Sequence, residues 1–178
     1  MDVIVESDTL VPAHYTGRSL PSVGSQVKLI ALPVTDQDPK SLTYRWSVED
    51  TVLYGGSIVG QNIATFIAPK KNSVLVNVEV FDQSGSVVSK LLKEIEIASP
   101  ELMFYEVNPL RGLNKNAIKN PHLLVGDEIT VRAEPFYMDK NIQNSNLLTE
   151  WEINGDRIEN PSLDKQQITL RPGGGTGR

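Results

Sequence analysis

The sequence predicts an all-β protein made of two antiparallel β-sandwiches in tandem. Short segments alternate apolar and polar residues, and glycine, proline, aspartate and serine separate these segments at regular intervals. An ordered series of residues in the first half of the chain recurs in the second half. Closely spaced strands without convincing amphipathic helices between them are typical of a sandwich or a barrel. With 178 residues, the chain has room for two modules of about 100 residues each.

The clearest strand is predicted at residues 74–81. Valines occupy its even positions, and Asn77 and Glu79 alternate with them, which indicates a strand with one buried face. The turn residues 82–85 follow, and residues 87–97 are predicted to be the hairpin partner. The same criteria predict three earlier strands, at 26–33, 41–48 and 61–69.

An internal repeat is the strongest signal in the sequence. The chain's two tryptophans, Trp46 and Trp151, take the same place in the two copies, where a sandwich buries its largest core side chain. Both tryptophans are therefore predicted to be buried at equivalent positions. Three ordered matches define the repeat: 24–33 with 126–135, 44–48 with 149–153, and 65–69 with 168–172.

The two copies differ after their last match. In the first copy, Pro69 precedes the two long strands at 74–81 and 87–97, whereas Pro172 precedes only the glycine-rich residues 173–178. The second sandwich is therefore predicted to lack its last two strands, which would expose inner-face side chains such as Val131 and Ile153. Three explanations are open: the natural protein continues beyond Arg178, another chain or segment supplies the missing strands, or the second module is a smaller sheet that packs against the first. We favour a longer natural protein, because the glycine-rich residues match the turn before the valine strand of the first copy. The predicted domains are residues 1–98 and 99–178.

Several of these segments together resemble a known kind of module. The strand that begins at Gly24, the Tyr44-Arg45-Trp46 strand and the Val-x-Val-Phe-Asp-x-x-Gly hairpin at residues 78–85 resemble PKD or immunoglobulin-like modules of bacterial surface proteins. Segments 10–17 and 105–112 also resemble uncharacterised paired immunoglobulin-like proteins of small-genome bacteria. The resemblance implies tandem sandwiches of PKD or immunoglobulin-like type and an extracytoplasmic or cell-surface location.

Composition excludes several classes of function. The net charge is −5 and no long basic run occurs, which argues against a nucleic-acid partner. The chain has no cysteine, so disulfides, cysteine-based zinc sites and thiol catalysis are excluded. It has no stretch approaching the ~20 apolar residues of a membrane span. Neither His14 nor His122 belongs to a catalytic or metal-binding motif, so no enzymatic activity is predicted.

Three aspartates form a candidate calcium site. Asp36 and Asp38 lie in the loop between two predicted strands, and Asp82 lies in the turn of the last hairpin. In an immunoglobulin-like sandwich these two loops emerge at the same end. Carboxylates and loop carbonyl groups there can supply the six to eight oxygen ligands that Ca²⁺ prefers. The alternative is that each aspartate is simply a good turn residue. No other cofactor is predicted.

Two further predictions concern basic residues. The segment 108–121 is locally basic and longer than most connections. It is interpreted as a solvated loop that crosses between the two sheets, and the alternative is a binding segment for an acidic partner. Lys28, Lys90 and Lys93 are all expected on solvated strand faces.

Two hypotheses of function follow. The first is a non-catalytic structural or adhesive spacer in an exported or cell-envelope protein, with neighbouring modules or another protein as its partner. The second is a module that recognises a carbohydrate or a peptide, using its end loops or an exposed sheet edge.

Overall fold

The protein is all-β, as predicted, and its strands form several antiparallel sheets. The computed structural model describes residues 1–119, 122, 126–140, 149–159 and 163–171. The chain divides into two compact units. Unit 1 comprises Met1–Leu10, Gly17–Ser99 and Tyr137–Lys140, and unit 2 comprises Val11–Thr16, Pro100–Phe136 and Asn141–Arg178.

The predicted domains, residues 1–98 and 99–178, differ from these units at two short segments. Residues 11–16 belong to unit 2, and residues 137–140 belong to unit 1. The division into two tandem domains stays a prediction.

Unit 1 contains two antiparallel sheets. The first has three strands in the order β1-β2-β5, and the second has four in the order β4-β3-β6-β7. A single 3₁₀ turn, Pro39–Ser41, precedes β3. The strands are β1 (Asp2–Ser7), β2 (Gln26–Leu32), β3 (Thr43–Val48), β4 (Thr51–Val59), β5 (Ile63–Ile67), β6 (Ser73–Phe81) and β7 (Val87–Glu96).

The core of unit 1 follows the period of two in these strands. The even-numbered valines of β6 are all buried, and β3 contributes Tyr44 and Trp46 to the same face. Val27, Leu29 and Ala31 of β2 are also buried and belong to the same apolar cluster. The alternation therefore selects one face of each strand for the interior.

Two polar side chains join the edges of the two sheets in unit 1. Lys93 of β7 donates from Nζ to the carbonyl oxygen of Val3 in β1 at 2.6 Å. Lys93 pairs with the buried Val76, so its side chain leaves the inner face of the sheet and not the predicted solvated face. The prediction for Lys93 is wrong because the long methylene chain lets the ammonium group reach, from an inward position, the seam where the edge strands of the two sheets meet.

On the other edges, the phenol oxygen of Tyr54 in β4 accepts a 2.7 Å hydrogen bond from the backbone N–H of Thr65 in β5. A bulge makes this reach possible, because residues 53–56 of β4 stand opposite Trp46 alone. Tyr54 and the following Gly55 have positive φ values of 57° and 74°. Unpaired edge strands invite pairing with other chains, and these two bonds occupy such groups on both seams.

The described residues of unit 2 form a four-stranded sheet in the order β13-β10-β8-β9 and a separate hairpin, β11-β12. Val131, Ala133 and Ile168 are buried on one face of the sheet. Ring contacts from residues 11–16 cover part of the other face: His14 packs edge-on against Tyr105, with 4.8 Å between ring centroids. The strands are β8 (Glu101–Asn108), β9 (Gly112–Ala117), β10 (Ile129–Phe136), β11 (Trp151–Ile153), β12 (Asp156–Ile158) and β13 (Gln167–Leu170).

The basic segment 108–121 is not the crossing loop that was predicted. Its residues 112–117 form β9, which pairs with β8. The side-chain oxygen of Asn108 accepts from the backbone N–H groups of Leu110 and Arg111, at 2.9 and 3.0 Å. These bonds close a tight turn. The sequence of β9, which is rich in asparagine and lysine, gives no alternating apolar signal, so the strand was missed.

The described residues contain no helix long and apolar enough to cross a membrane.

Candidate functional site

The first candidate site lies at one end of the four-stranded sheet of unit 1. Thr43, at the start of β3, pairs with Phe81, at the end of β6. The loop that carries Asp36 and Asp38 therefore leaves the sheet at the same end as the turn that begins at Asp82, as the sandwich topology predicts.

Asp38 organises the loop before β3. Its Oδ1 atom accepts from the backbone N–H of Lys40 at 3.0 Å, and its carbonyl oxygen accepts from the hydroxyl group of Ser41 at 2.8 Å. The buried Tyr44 donates its hydroxyl to the carbonyl oxygen of Pro39 at 3.0 Å. Burial, and then the negative charge of Asp38, raise the pKa of Tyr44. Asp36 is exposed in the same loop.

Asp82 organises the opposite turn. Its Oδ1 atom accepts three hydrogen bonds, from the backbone N–H of Ser84 (2.8 Å), the hydroxyl of Ser84 (2.6 Å) and the backbone N–H of Ser86 (2.9 Å). The Ser84 hydroxyl contributes most to a lowered pKa of Asp82, and the backbone bond from Ser86 comes next. These bonds favour the ionised carboxylate, as expected of an aspartate that caps a turn.

A shallow depression of about 580 Å³ lies between these two loops on the outer side of the sheet. Phe81 and Val59 supply its apolar surface, and hydroxyl and carboxylate groups surround them. The sequence identified only Asp82 among the residues that line this depression. The others could have been sought at the strand ends next to the two loops. The lining residues are Ser41, Thr43, Ser57, Val59, Phe81, Asp82, Gln83 and Gly85.

The described residues contain no group of three or more His, Asp or Glu side chains arranged to hold a metal ion. The structure thus brings the two loops to one end without gathering Asp36, Asp38 and Asp82 into such a group. Calcium binding by these aspartates stays a prediction that solution measurements must test.

The second candidate site is the inner face of unit 2, and matched hydrogen bonds show its relation to unit 1. The indole N–H of Trp46 donates to the carbonyl oxygen of Gln61, and that of Trp151 donates to the carbonyl oxygen of Lys165, both at 2.9 Å. Gln61 lies three residues before the buried Ala64, and Lys165 lies three residues before the buried Ile168.

The sheet register gives the same correspondence. Leu29 pairs with Ala64 in unit 1, and Val131 pairs with Ile168 in unit 2. Ile168 therefore corresponds to Ala64, and the third match of the sequence repeat is wrong by one residue. In a strand, a slip of one residue exchanges the two faces, and the pattern of the short β13 does not fix the alignment.

The two units differ at the positions that β6 and β7 cover in unit 1. Val3 pairs with Ala31 and is 1% exposed, whereas Phe104 pairs with the corresponding Ala133 and is 41% exposed. The described part of unit 2 has no counterpart of β6 or β7, which accounts for the exposure of Phe104.

The tryptophans show the same difference. Trp46 is 1% exposed, but Trp151 is only half-buried. The indole of Trp151 lies 6.0 Å from the ring of Phe104, measured between centroids. The two tryptophans occupy equivalent positions, as predicted, but the prediction that both are buried is wrong for Trp151.

The glycine-rich residues 173–177, interpreted as a turn or tail, lie outside the described residues. His122 is exposed.

No protein-family model matches the chain, and searches of curated proteins and of solved structures return no match. The fold thus defines the class, an all-β protein of antiparallel sheets, and the resemblance to PKD or immunoglobulin-like modules stays a prediction.

Proposed function

We propose that this chain is a non-catalytic structural module that serves as a spacer or adhesive part of an exported or cell-envelope protein. The observation that carries the proposal is the closure of unit 1, in which side chains bridge both seams between its sheets. The location is proposed from the resemblance to bacterial surface modules, and the partners are neighbouring modules or another protein.

The ends of unit 1 fit a load-bearing role. Its N-terminal strand β1 is bound to β2 on one side and is held by Lys93 of β7 on the other. Near the other end of the unit, the backbone N–H of Ala98 donates to the carbonyl oxygen of Pro21 at 2.7 Å. Tension applied through the two ends of unit 1 therefore has to break these hydrogen bonds before the end segments can separate from the unit.

The ionisable groups also fit a structural role. Perturbed pKa values often mark catalytic groups. Here burial raises the pKa of Tyr44 and of Tyr105, and turn hydrogen bonds lower that of Asp82. Packing and turn formation account for each of these shifts.

Single-molecule stretching of the full chain between its termini tests the structural role. Unit 1 should unfold in one step that releases roughly 30 nm, as expected for about 100 residues at 3.3–3.6 Å each. Lys93→Met should lower the force of that step, and Lys28→Met, which removes only the exposed pair with Glu6, should not. Gradual peeling of β1 at low force in the unaltered chain would contradict a load-bearing role.

Recognition of a ligand is the second candidate function. The depression beside Phe81 favours it, because an apolar ring surrounded by hydroxyl groups suits the mixed surface of a sugar. A glycan array probed with the full chain tests it directly. Binding that Phe81→Ala abolishes and Leu75→Ala retains would support recognition, since Leu75 is exposed elsewhere on the same outer face.

A further inference from the structure

We propose that unit 2 binds an extended protein segment, which adds a strand to the edge of β11 opposite β12, as β6 does to β3 in unit 1. The segment carries branched apolar side chains at alternate positions and a basic residue on its outward side. This inference goes beyond the sugar-binding depression of unit 1, since it names another surface and a peptide partner.

The exposure differences between the units locate the surface. Phe104 and Ile153 are 41% and 44% exposed, and they lie where β6 and β7 cover unit 1. Val131, Ala133 and Ile168 do not depend on those strands, and all three are buried. Phe104 and Ile153 are therefore exposed at positions that two further strands would cover.

The backbone of β11 supplies the docking edge. β3 has neighbours on both sides, β4 and β6, whereas β11 pairs only with β12 among the described residues. An extended segment that pairs with a free edge gains main-chain hydrogen bonds, and its alternate side chains reach the face below.

The register of unit 1 specifies which side chains would meet. Val78 pairs with Trp46, so an apolar residue of the segment would lie opposite Trp151. Arg45 pairs with Glu79 in unit 1, and Glu150 stands at the place of Arg45 in unit 2.

The charges of the hairpin favour a basic partner. Glu150 forms a 2.8 Å ion pair with Arg157, and Glu152 stands opposite the same arginine in the strand register. Two carboxylates and one guanidinium group therefore lie on the same face of the hairpin. A lysine or arginine at the place of Glu79 would complement Glu150, whereas the glutamate of a β6-like strand would be repelled.

Two fluorescent nonapeptides test the proposal against the full chain by anisotropy. One has the sequence of residues 73–81, and the other carries Glu79→Lys. We expect saturable binding of both, about three- to tenfold tighter for the lysine peptide, which corresponds to about 1 kcal/mol from one charge reversal. Raising the salt concentration should reduce that difference.

Phe104→Ser should weaken binding of the lysine peptide at least tenfold. Leu110→Ser is the matched control, because Leu110 is 95% exposed in the β8–β9 turn, away from the face; it should leave the affinity unchanged. Glu150→Gln together with Glu152→Gln should remove the preference for lysine while binding persists, an effect that loss of folding cannot imitate.

Absence of binding by either peptide, or equal affinity in Phe104→Ser and the unaltered chain, would overturn the proposal. A concentration-dependent dimer that Phe104→Ser abolishes would also overturn it, in favour of a second copy as the occupant. If strand binding fails while unit 1 still unfolds in one forced step, only this inference is lost and the structural role stands.

Discussion

In unit 1 a three-stranded sheet, β1-β2-β5, faces a four-stranded sheet, and its inward residues are almost wholly removed from solvent. In unit 2 the corresponding strands β8, β10 and β13 keep the same pairing, but among the described residues only the short hairpin β11-β12 stands at the place of the second sheet. Val3 is buried and Phe104 is exposed, although both pair with a buried alanine.

The comparison separates two contributions to burial. Pairing within a sheet determines which face a side chain occupies, and this is shared by the two units. Covering of that face depends on strands that are distant in sequence, and this differs between them. The predictions below test the difference at matched positions.

The largest difference is expected at the tryptophans. Trp46→Ala should lower the free energy of unfolding of unit 1 by about 3–5 kcal/mol, the usual cost of removing a buried large aromatic side chain. Trp151→Ala should cost unit 2 about half of that or less, because its indole is already half-exposed. Amide hydrogen exchange measured in the full chain reports the two units separately. Equal losses would show that unit 2 is as well covered as unit 1.

The next largest loss of stability is expected at the seam between β1 and β7, which Lys93 bridges. Lys93→Met removes the donor to Val3 and should cost about 1 kcal/mol, less than the usual ~1.5–3 kcal/mol for a hydrogen bond to a charged group, because the lysine is partly exposed. Lys28→Met removes the exposed pair with Glu6 and should cost less than about 0.5 kcal/mol. Urea denaturation of the two variants measures the difference. Equal losses of stability would show that the Lys93 bond contributes no more than an exposed ion pair.

The seam at Tyr54 should show a local effect. Tyr54→Phe removes the acceptor of the Thr65 amide, which should then exchange about fivefold faster, as the loss of about 1 kcal/mol implies. Tyr44→Phe removes a hydroxyl bonded to Pro39 and leaves the acceptor of Thr65 in place, so it serves as the control. An unchanged rate at Thr65 in Tyr54→Phe would mean that the seam is open in solution.

A smaller effect is expected from pH. The folded pKa of Asp82 lies below the ordinary value of 3.8. Its contribution to stability is therefore present above about pH 4 and is lost as the pH falls through the lower folded pKa. Asp82→Asn should flatten that part of the melting-temperature profile between about pH 5 and pH 2. An unaltered slope in Asp82→Asn would contradict this contribution of Asp82.

Calcium should have the smallest effect. We expect about 5 mM Ca²⁺, above the dissociation constants of many extracellular calcium modules, to leave the melting temperature unchanged. The reason is that Oδ1 of Asp82 already accepts three hydrogen bonds within its turn. A rise in the unaltered chain that Asp82→Asn removes would instead establish the predicted site, because a ligand bound only to the folded state raises its stability.

The candidate sites were predictable to different degrees. Asp82 and the loop of Asp38 could be placed at one end of a sheet, because turn residues and strand order are local features. The depression beside Phe81 could not, because it depends on which strands become neighbours of β3. The exposed face of unit 2 was predicted from the missing strands correctly for Ile153 but wrongly for Val131, which the sheet of unit 2 buries. Trp151 was expected to be buried.

The sequence by itself determined the strand class and the place of the two tryptophans, because a period of two and a repeated order of residues are properties of neighbouring positions. Only the tertiary structure decided the inward position of Lys93, the strand β9 and the one-residue shift of β13. It also decided which of two equivalent tryptophans is covered. Each of these outcomes depends on partners far away in the chain, and the burial of a side chain is completed by the sheet that packs against it.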